Sequence, residues 1–210
     1  MDTKPVFHGS DIEKICSYYN LKKEDIVKFG ANVNPLGLSP KASQAIASHV
    51  ELLSSYPDRE YTSLRNTISR YCNIPADFIL GPTYSEYSRE LSFSGSTQEY
   101  YHLQESMDFE PDIPDLCRKL EQGYDFLILC NPNNPTSSAI SKKDLRDLIR
   151  FCAEKDIFVM IDETYVEFAP DISAITAVPL TQEFTNLMVL RGVSKFFAAP
   201  GMRLGYGITG

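Results

Sequence analysis

No stretch of this chain is apolar for long enough to cross a bilayer. Its longest apolar runs, Phe126 to Cys130 and Ile157 to Ile161, fall far short of the roughly 20 residues a membrane helix needs. A basic stripe is missing too. Against 28 Asp and Glu stand only 20 Lys and Arg, a formal net charge of −8, which argues against a nucleic-acid partner. Histidine is scarce, and none of the 3 present (His8, His49, His102) neighbours a cysteine or falls in an H-E-x-x-H pattern, so no metal site is expected. The 5 cysteines (Cys16, Cys72, Cys117, Cys130, Cys152) are odd in number and widely spaced, without a C-x-x-C pair. They read as small buried apolar side chains of a reducing compartment. Met1 to Pro5 lack the charged and apolar regions of a secretory signal, and the expected location is the cytoplasm. No repeat, low-complexity tract or Gly/Ser linker divides the chain.

What is present is an ordinary globular composition. With 210 residues, 43% hydrophobic and 23% charged, the chain is long enough to bury a real core. The first segment reads as an arm with a short helix capped by Ser10 or Asp11, with Ile12, Ile15, Cys16 and Tyr19 on one face. Turn chemistry at Ala31-Asn-Val-Asn-Pro-Leu-Gly37 precedes a helix over about Lys41 to Leu53. A second helix runs from about Tyr61 to Cys72, with Leu64, Ile68 and Tyr71 or Cys72 inward.

The second half is more regular. Phe126 to Cys130 is a continuous apolar run, as in a strand buried on both faces. The turn Asn131-Pro-Asn-Asn-Pro-Thr136 follows, and then a helix opened by Ser141 with Asp144 three residues on, a capping box. Leu145, Leu148, Ile149 and Cys152 have helical spacing. Ile157 to Ile161 is a second strand ending in Asp162-Glu-Thr-Tyr165, and Leu187 to Leu190 a third, running into Arg191-Gly-Val-Ser-Lys195. Strand, helix and strand at this spacing make a βαβ unit, so the expected fold class is α/β with a mostly parallel sheet.

Ligands of such sheets bind beyond the carboxyl ends of the strands. Here those ends carry an amide, a carboxylate, a phenol and an amine, with Arg203 eight residues past the lysine as an anion clamp. Pyridoxal 5′-phosphate uses all five: its aldehyde needs a lysine, its ring nitrogen a carboxylate, its phenolic oxygen hydrogen-bond donors and its phosphate an arginine. Singly, each residue has a plainer explanation. Asp162-Glu163 alone reads as a solvated strand end, Asn131 to Pro135 as a strand-to-helix turn, and a lone Lys195 as a surface side chain.

Asn131-Pro-Asn-Asn-Pro-Thr136, Ile161-Asp-Glu-Thr-Tyr165 and Ser194-Lys-Phe-Phe-Ala-Ala-Pro-Gly-Met-Arg-Leu-Gly-Tyr206 together resemble the signatures of class I/II aminotransferases, fold-type I pyridoxal-phosphate enzymes. The nearest branch is that of histidinol-phosphate aminotransferase and threonine-phosphate decarboxylase. His8-Gly9, Ala31 to Gly37 and Tyr56-Pro-Asp58 resemble the decarboxylase in particular. The resemblance implies a three-layer α/β/α large domain, incomplete here, over residues 41–210, with residues 1–40 as an N-terminal arm or part of the small domain. It implies that Lys195 holds the cofactor as an internal aldimine and then acts as acid and base at the substrate Cα. Asp162 would pair with the ring nitrogen, Asn134 and Tyr165 with the phenolic oxygen, and Ser194 and Arg203 with the phosphate. Tyr84 would stack on the ring, and Tyr56 would reach the phosphate of a neighbouring subunit, making the site a property of a homodimer. His8 and Asn32 are candidates for the substrate's own phosphate or carboxylate.

The pattern breaks at two places. Leu80 passes straight to Gly81-Pro-Thr-Tyr84, where the family would carry a turn, a helix and a returning strand. The family also continues past the lysine motif into a small C-terminal domain. Ser137 and Gly192 are smaller departures, standing where a glycine and a hydroxyl residue are usual. Three readings follow: an aminotransferase acting on a small, phosphorylated amino substrate, a threonine-phosphate decarboxylase-like lyase of cobalamin biosynthesis, or a non-catalytic truncated paralogue.

Overall fold

Ser141 and Asp144 set the first crossover. The Ser141 hydroxyl accepts from the Asp144 amide at 3.2 Å and donates to Asp144 Oδ2 at 2.7 Å, satisfying a helix N-terminus that would otherwise carry unpaired N–H groups. The helix so begun, Lys142–Glu154, turns Leu145, Leu148, Ile149 and Cys152 inward, and none of the four is exposed at all. The strands before and after it, Phe126–Cys130 and Phe158–Asp162, pair in parallel from Phe126↔Phe158 to Cys130↔Asp162.

The computed structural model describes residues 7, 11–27, 32–54, 58, 60–75, 78–82, 97 and 99–210. In chain order the elements are α1 (Ile12–Tyr19), α2 (Pro40–Ala47), α3 (Thr62–Cys72), β1 (Ile79–Pro82), α4 (Ile113–Leu120), β2 (Phe126–Cys130), α5 (Lys142–Glu154), β3 (Phe158–Asp162), α6 (Ile172–Ile175), β4 (Leu187–Gly192) and β5 (Gly205–Thr209). The strands form one sheet in the order β1-β5-β4-β3-β2. β2, β3 and β4 are parallel, whereas β5 runs antiparallel to both β4 and β1. The α/β class with a mostly parallel sheet is therefore as the sequence implies.

The core lies where α3, α4 and α5 cover the sheet: Ile68, Leu116, Leu120, Leu148, Val159 and Ile208 belong to one buried cluster. Each such side chain contributes about 1.5–3 kcal/mol of burial free energy. α4 was not anticipated from the sequence. Asp112 caps it by accepting from the Asp115 amide at 3.0 Å. β5 also went unanticipated, because Gly205-Tyr-Gly-Ile-Thr209 has no continuous apolar run, yet its first four residues are buried.

Four expectations need correction. The helix expected to Leu53 stops at Ala47 and is followed by the 3₁₀ turn Val50–Ser54. Ser48 Oγ (3.2 Å) and His49 Nδ1 (2.8 Å) both donate to the Ala45 carbonyl, giving the backbone an alternative to the helical ladder. β2 is not buried on both faces: it is the sheet's last strand, and Phe126 is 42% exposed. α1 buries only Ile12, while Tyr19 faces outward against Tyr18. Of the cysteines only Cys152 is buried; the other four are partly exposed.

Leu80 and Gly81 are consecutive residues of β1, at the junction where the family pattern would place a crossover, and the register with β5 shifts there, between Ile79 and Pro82.

Candidate active site

Parallel pairing points the carboxyl ends of β2, β3 and β4 the same way, with Cys130, Asp162 and Leu190 in register. The segments leaving these ends therefore meet. Asn134 leaves β2, Tyr165 leaves β3, and Lys195 leaves β4. Asn134 Nδ2 donates to the Tyr165 hydroxyl at 3.3 Å, and Asn134 Oδ1 accepts from Asn32 Nδ2 at 3.4 Å. The Lys195 Nζ stands 6.0 Å from the centre of the Tyr165 ring. Amide, phenol and amine, distant in the chain, thus form one cluster.

The antiparallel return of β5 explains the lysine loop. β4 and β5 pair down to Gly192↔Gly205, and the Val193 amide donates to the Leu204 carbonyl at 3.2 Å. Ser194 and Arg203 follow on the two sides of that bond. The loop that carries Lys195 is therefore closed at its base by Val193 and Leu204, and it begins and ends with the two residues expected to take a phosphate. Arg203 is exposed, with a left-handed φ of 52°, and its Nη1 donates to the Pro200 carbonyl at 3.3 Å.

Asp162, the last residue of β3, is buried. Its Oδ1 accepts from the Thr164 amide at 2.8 Å and from the Thr164 hydroxyl, bonds that fix the plane of the carboxylate. His8, Tyr56 and Tyr84 lie outside the described residues.

Sequence reading missed Asn34. Its amide N–H donates to the Lys195 carbonyl and its Nδ2 to the Phe196 carbonyl, both at 2.9 Å. The turn character of Asn34-Pro-Leu-Gly37 is visible in the chain, but its partner 162 residues away is not. Glu163 was also misjudged. It is fully buried, not a solvated strand end, and pairs with Arg191 of β4 at 2.7 Å.

A cavity of about 830 Å³ opens beside the cluster and reaches it through Asn32, Asn134 and Tyr165. Phe168, Ala174 and Ile175 make much of the rest of its wall apolar. Among the described residues its wall includes Asp171 but no Lys, Arg or His. Burial pushes the thiols of Cys72, Cys117 and Cys130 up, and that of Cys152 up to about 12, which keeps them protonated and poor nucleophiles. Among the described residues no group of three His, Cys, Asp or Glu gathers as metal ligands, and no helix is long and apolar enough to cross a membrane.

Behind the strand ends, Glu167 accepts from the Tyr71 hydroxyl at 3.3 Å through Oε1, while its buried Oε2 has no hydrogen-bond partner. Burial raises its pKa above the ordinary 4.5, against the opposing pull of Arg191. The native state therefore holds this proton more tightly than the unfolded chain does. Its stabilising contribution is complete below pH 4.5 and is lost as pH rises through the raised value. Glu167→Gln removes that loss. Urea midpoints of the variant and the parent, measured from about pH 4 to about pH 8, should diverge in the variant's favour as pH rises and then run parallel.

A parallel sheet whose strand ends carry an amide, a carboxylate, a phenol and an amine is the arrangement in which α/β proteins hold ligands. Comparison with known proteins narrows that class. The family model for aminotransferase class I and II matches residues 78–209, and the chain belongs to that family. It is 30% identical over 228 aligned residues to a histidinol-phosphate aminotransferase of Methanococcus aeolicus, covering 96% of this chain and 60% of that protein. It is 27% identical to a threonine-phosphate decarboxylase of Salmonella typhimurium, covering 95% and 60%. The crystal structure of the histidinol-phosphate aminotransferase from Clostridium acetobutylicum superposes with a TM-score of 0.75 at 29% identity, over 85% of this chain and 59% of that one. The chain thus spans about 60% of the length of the curated relatives it matches. The 228 aligned positions exceed this chain's 210 residues, so the relative carries internal residues that have no counterpart here.

Proposed function

We propose that this chain carries the cofactor-binding part of a pyridoxal 5′-phosphate-dependent aminotransferase of the histidinol-phosphate type, acting on a small, phosphorylated amino substrate. The observation that carries this reading is the joining of Asn134, Tyr165 and Lys195 from three separate strand ends. The donor set fits the cofactor: an amine for its aldehyde, a buried carboxylate for its ring nitrogen, and a phenol and an amide for its phenolic oxygen. Bound there, it would supply a carbonyl reactive toward amines and a ring that accepts electrons.

The protein's own groups have distinct tasks. Lys195 Nζ takes and returns a proton at the substrate Cα. Asp162 holds a proton on the ring nitrogen, the charge arrangement in which the ring draws electrons most strongly. Tyr165 and Asn134 orient the phenolic oxygen, and Asn32 steadies Asn134. Ser194 and Arg203, at the two ends of the lysine loop, are assigned the cofactor phosphate, with Tyr84 on the ring face and Tyr56 from a second copy in a homodimer. For the substrate's own phosphate or carboxylate the candidates are His8 and Asn32. In this reading residues 41–210 form the cofactor-binding unit, residues 1–40 form the arm, and the enzyme is cytoplasmic.

The test is direct. Purified chain mixed with pyridoxal 5′-phosphate should develop a visible absorbance band, and borohydride should fix the cofactor's mass on Lys195. Lys195→Ala should do neither. A chain that stays colourless overturns the proposal in favour of a non-catalytic relative. The second reading, a threonine-phosphate decarboxylase-like lyase, is favoured by His8-Gly9, Ala31 to Gly37 and Tyr56-Pro-Asp58 and by the likeness to the Salmonella typhimurium protein. Release of CO₂ from threonine phosphate without any keto acid would establish it over transamination.

A further inference from the structure

The most unusual feature outside the cluster is a buried ionic network behind it. Glu163 is wholly buried and accepts from Arg191 Nε at 3.0 Å and Arg191 Nη2 at 2.7 Å, both on Oε2. Thr176 Oγ1 donates to the same carboxylate at 2.9 Å, the Ala177 amide donates to its Oε1 at 2.5 Å, and Arg191 Nη2 donates to Thr176 Oγ1 at 3.0 Å. Arg191 Nη1 stands 3.7 Å from Glu167 Oε1, which also accepts from the Tyr71 hydroxyl of α3. One guanidinium thus faces two buried carboxylates, and replacing a buried network of this kind by an apolar filling of the same volume is often neutral or stabilising. Stability alone is a weak reason for the network, and another is needed.

Its place in the chain supplies one. Glu163 directly follows Asp162. Glu167 is two residues beyond Tyr165. Arg191 lies on β4 four residues before Lys195. We propose that Arg191 is a positioning residue for the cofactor site. Through Glu163 and Glu167 it locks the end of β3 and the turn after it to the end of β4, so that the carboxylate of Asp162, the phenol of Tyr165 and the amine of Lys195 keep one fixed geometry. Arginine suits this role because its planar fork binds one carboxylate through two nitrogens while presenting the third to another, a geometry that lysine cannot reproduce. The inference rests on the pyridoxal-phosphate reading above.

Two variants test it. Arg191→Lys keeps the buried positive charge and loses the fork. The double variant Glu163→Met with Arg191→Met removes both charges and keeps the volume. Circular dichroism establishes folding, equilibrium dialysis gives the dissociation constant for pyridoxal 5′-phosphate, and the wavelength of the visible band reports the surroundings of the ring. Whichever variant folds is expected to bind the cofactor about tenfold to a hundredfold more weakly and to shift the band. A folded variant with parental affinity and an unshifted band overturns the proposal, since the network would then be structural only. Failure of both to fold overturns it likewise. A parent chain that shows no band at all counts against the functional reading instead, and the parental control separates the two failures.

Discussion

Asp162→Asn is expected to leave the fold intact and to lower turnover of the cofactor-loaded protein by about 10²–10³-fold, the scale on which losing one preorganised electrostatic partner acts. The polarity of the substitution is set by the structure. Thr164 donates to Asp162 Oδ1 through its amide and its hydroxyl. In the variant these donors keep the amide oxygen on their side, which turns the Nδ2 group toward the position of Oδ2. An acceptor becomes a donor there, and the negative charge that would keep a ring nitrogen protonated is gone. Unchanged circular dichroism with a collapsed turnover number is the expected pair of results. Parental turnover would remove Asp162 from the role.

Glu163→Leu should be strongly destabilising. It strands the Arg191 guanidinium, only 7% exposed, with the carboxylate of Glu167 at 3.7 Å as its remaining charged neighbour. It also removes the acceptor of the Thr176 hydroxyl and the Ala177 amide. Breaking a buried pair from one side costs about 3–5 kcal/mol, a large share of the roughly 5–15 kcal/mol that holds a typical domain together. Urea unfolding followed by circular dichroism checks this. A midpoint shift equivalent to less than about 1 kcal/mol would mean that water reaches the guanidinium and screens it.

The same residue marks the limit of what could be read from the chain. Asp162-Glu163 at the end of an apolar run gives no sign of which carboxylate stays at the ligand end and which turns into the core. A strand alternates its faces, so one of the pair points to each side of the sheet, but which side is buried depends on what covers it. Here Thr176 and Ala177, which follow α6, supply the polar partners that let Glu163 go inside. α5 presents the opposite case. Its cap and all four of its buried positions follow from local spacing, because helix periodicity and end capping are short-range effects. β5 was illegible for the complementary reason. Its glycines carry no pattern, and its burial comes from segments distant in the chain, β1 and β4 on either side and α3, whose Cys72 meets Tyr206.

By itself, then, the chain determined the βαβ unit, its helix cap, the motif order and the identity of the groups at the strand ends, all of which depend on residues close together in sequence. Only the tertiary structure decided that Asn32, Asn134, Tyr165 and Lys195 share one place, that Asn34 ties the early turn to the lysine loop, and that Glu163 and Arg191 are buried together. Those facts depend on strand order and on desolvation, and both are settled by segments far apart in the chain packing against one another.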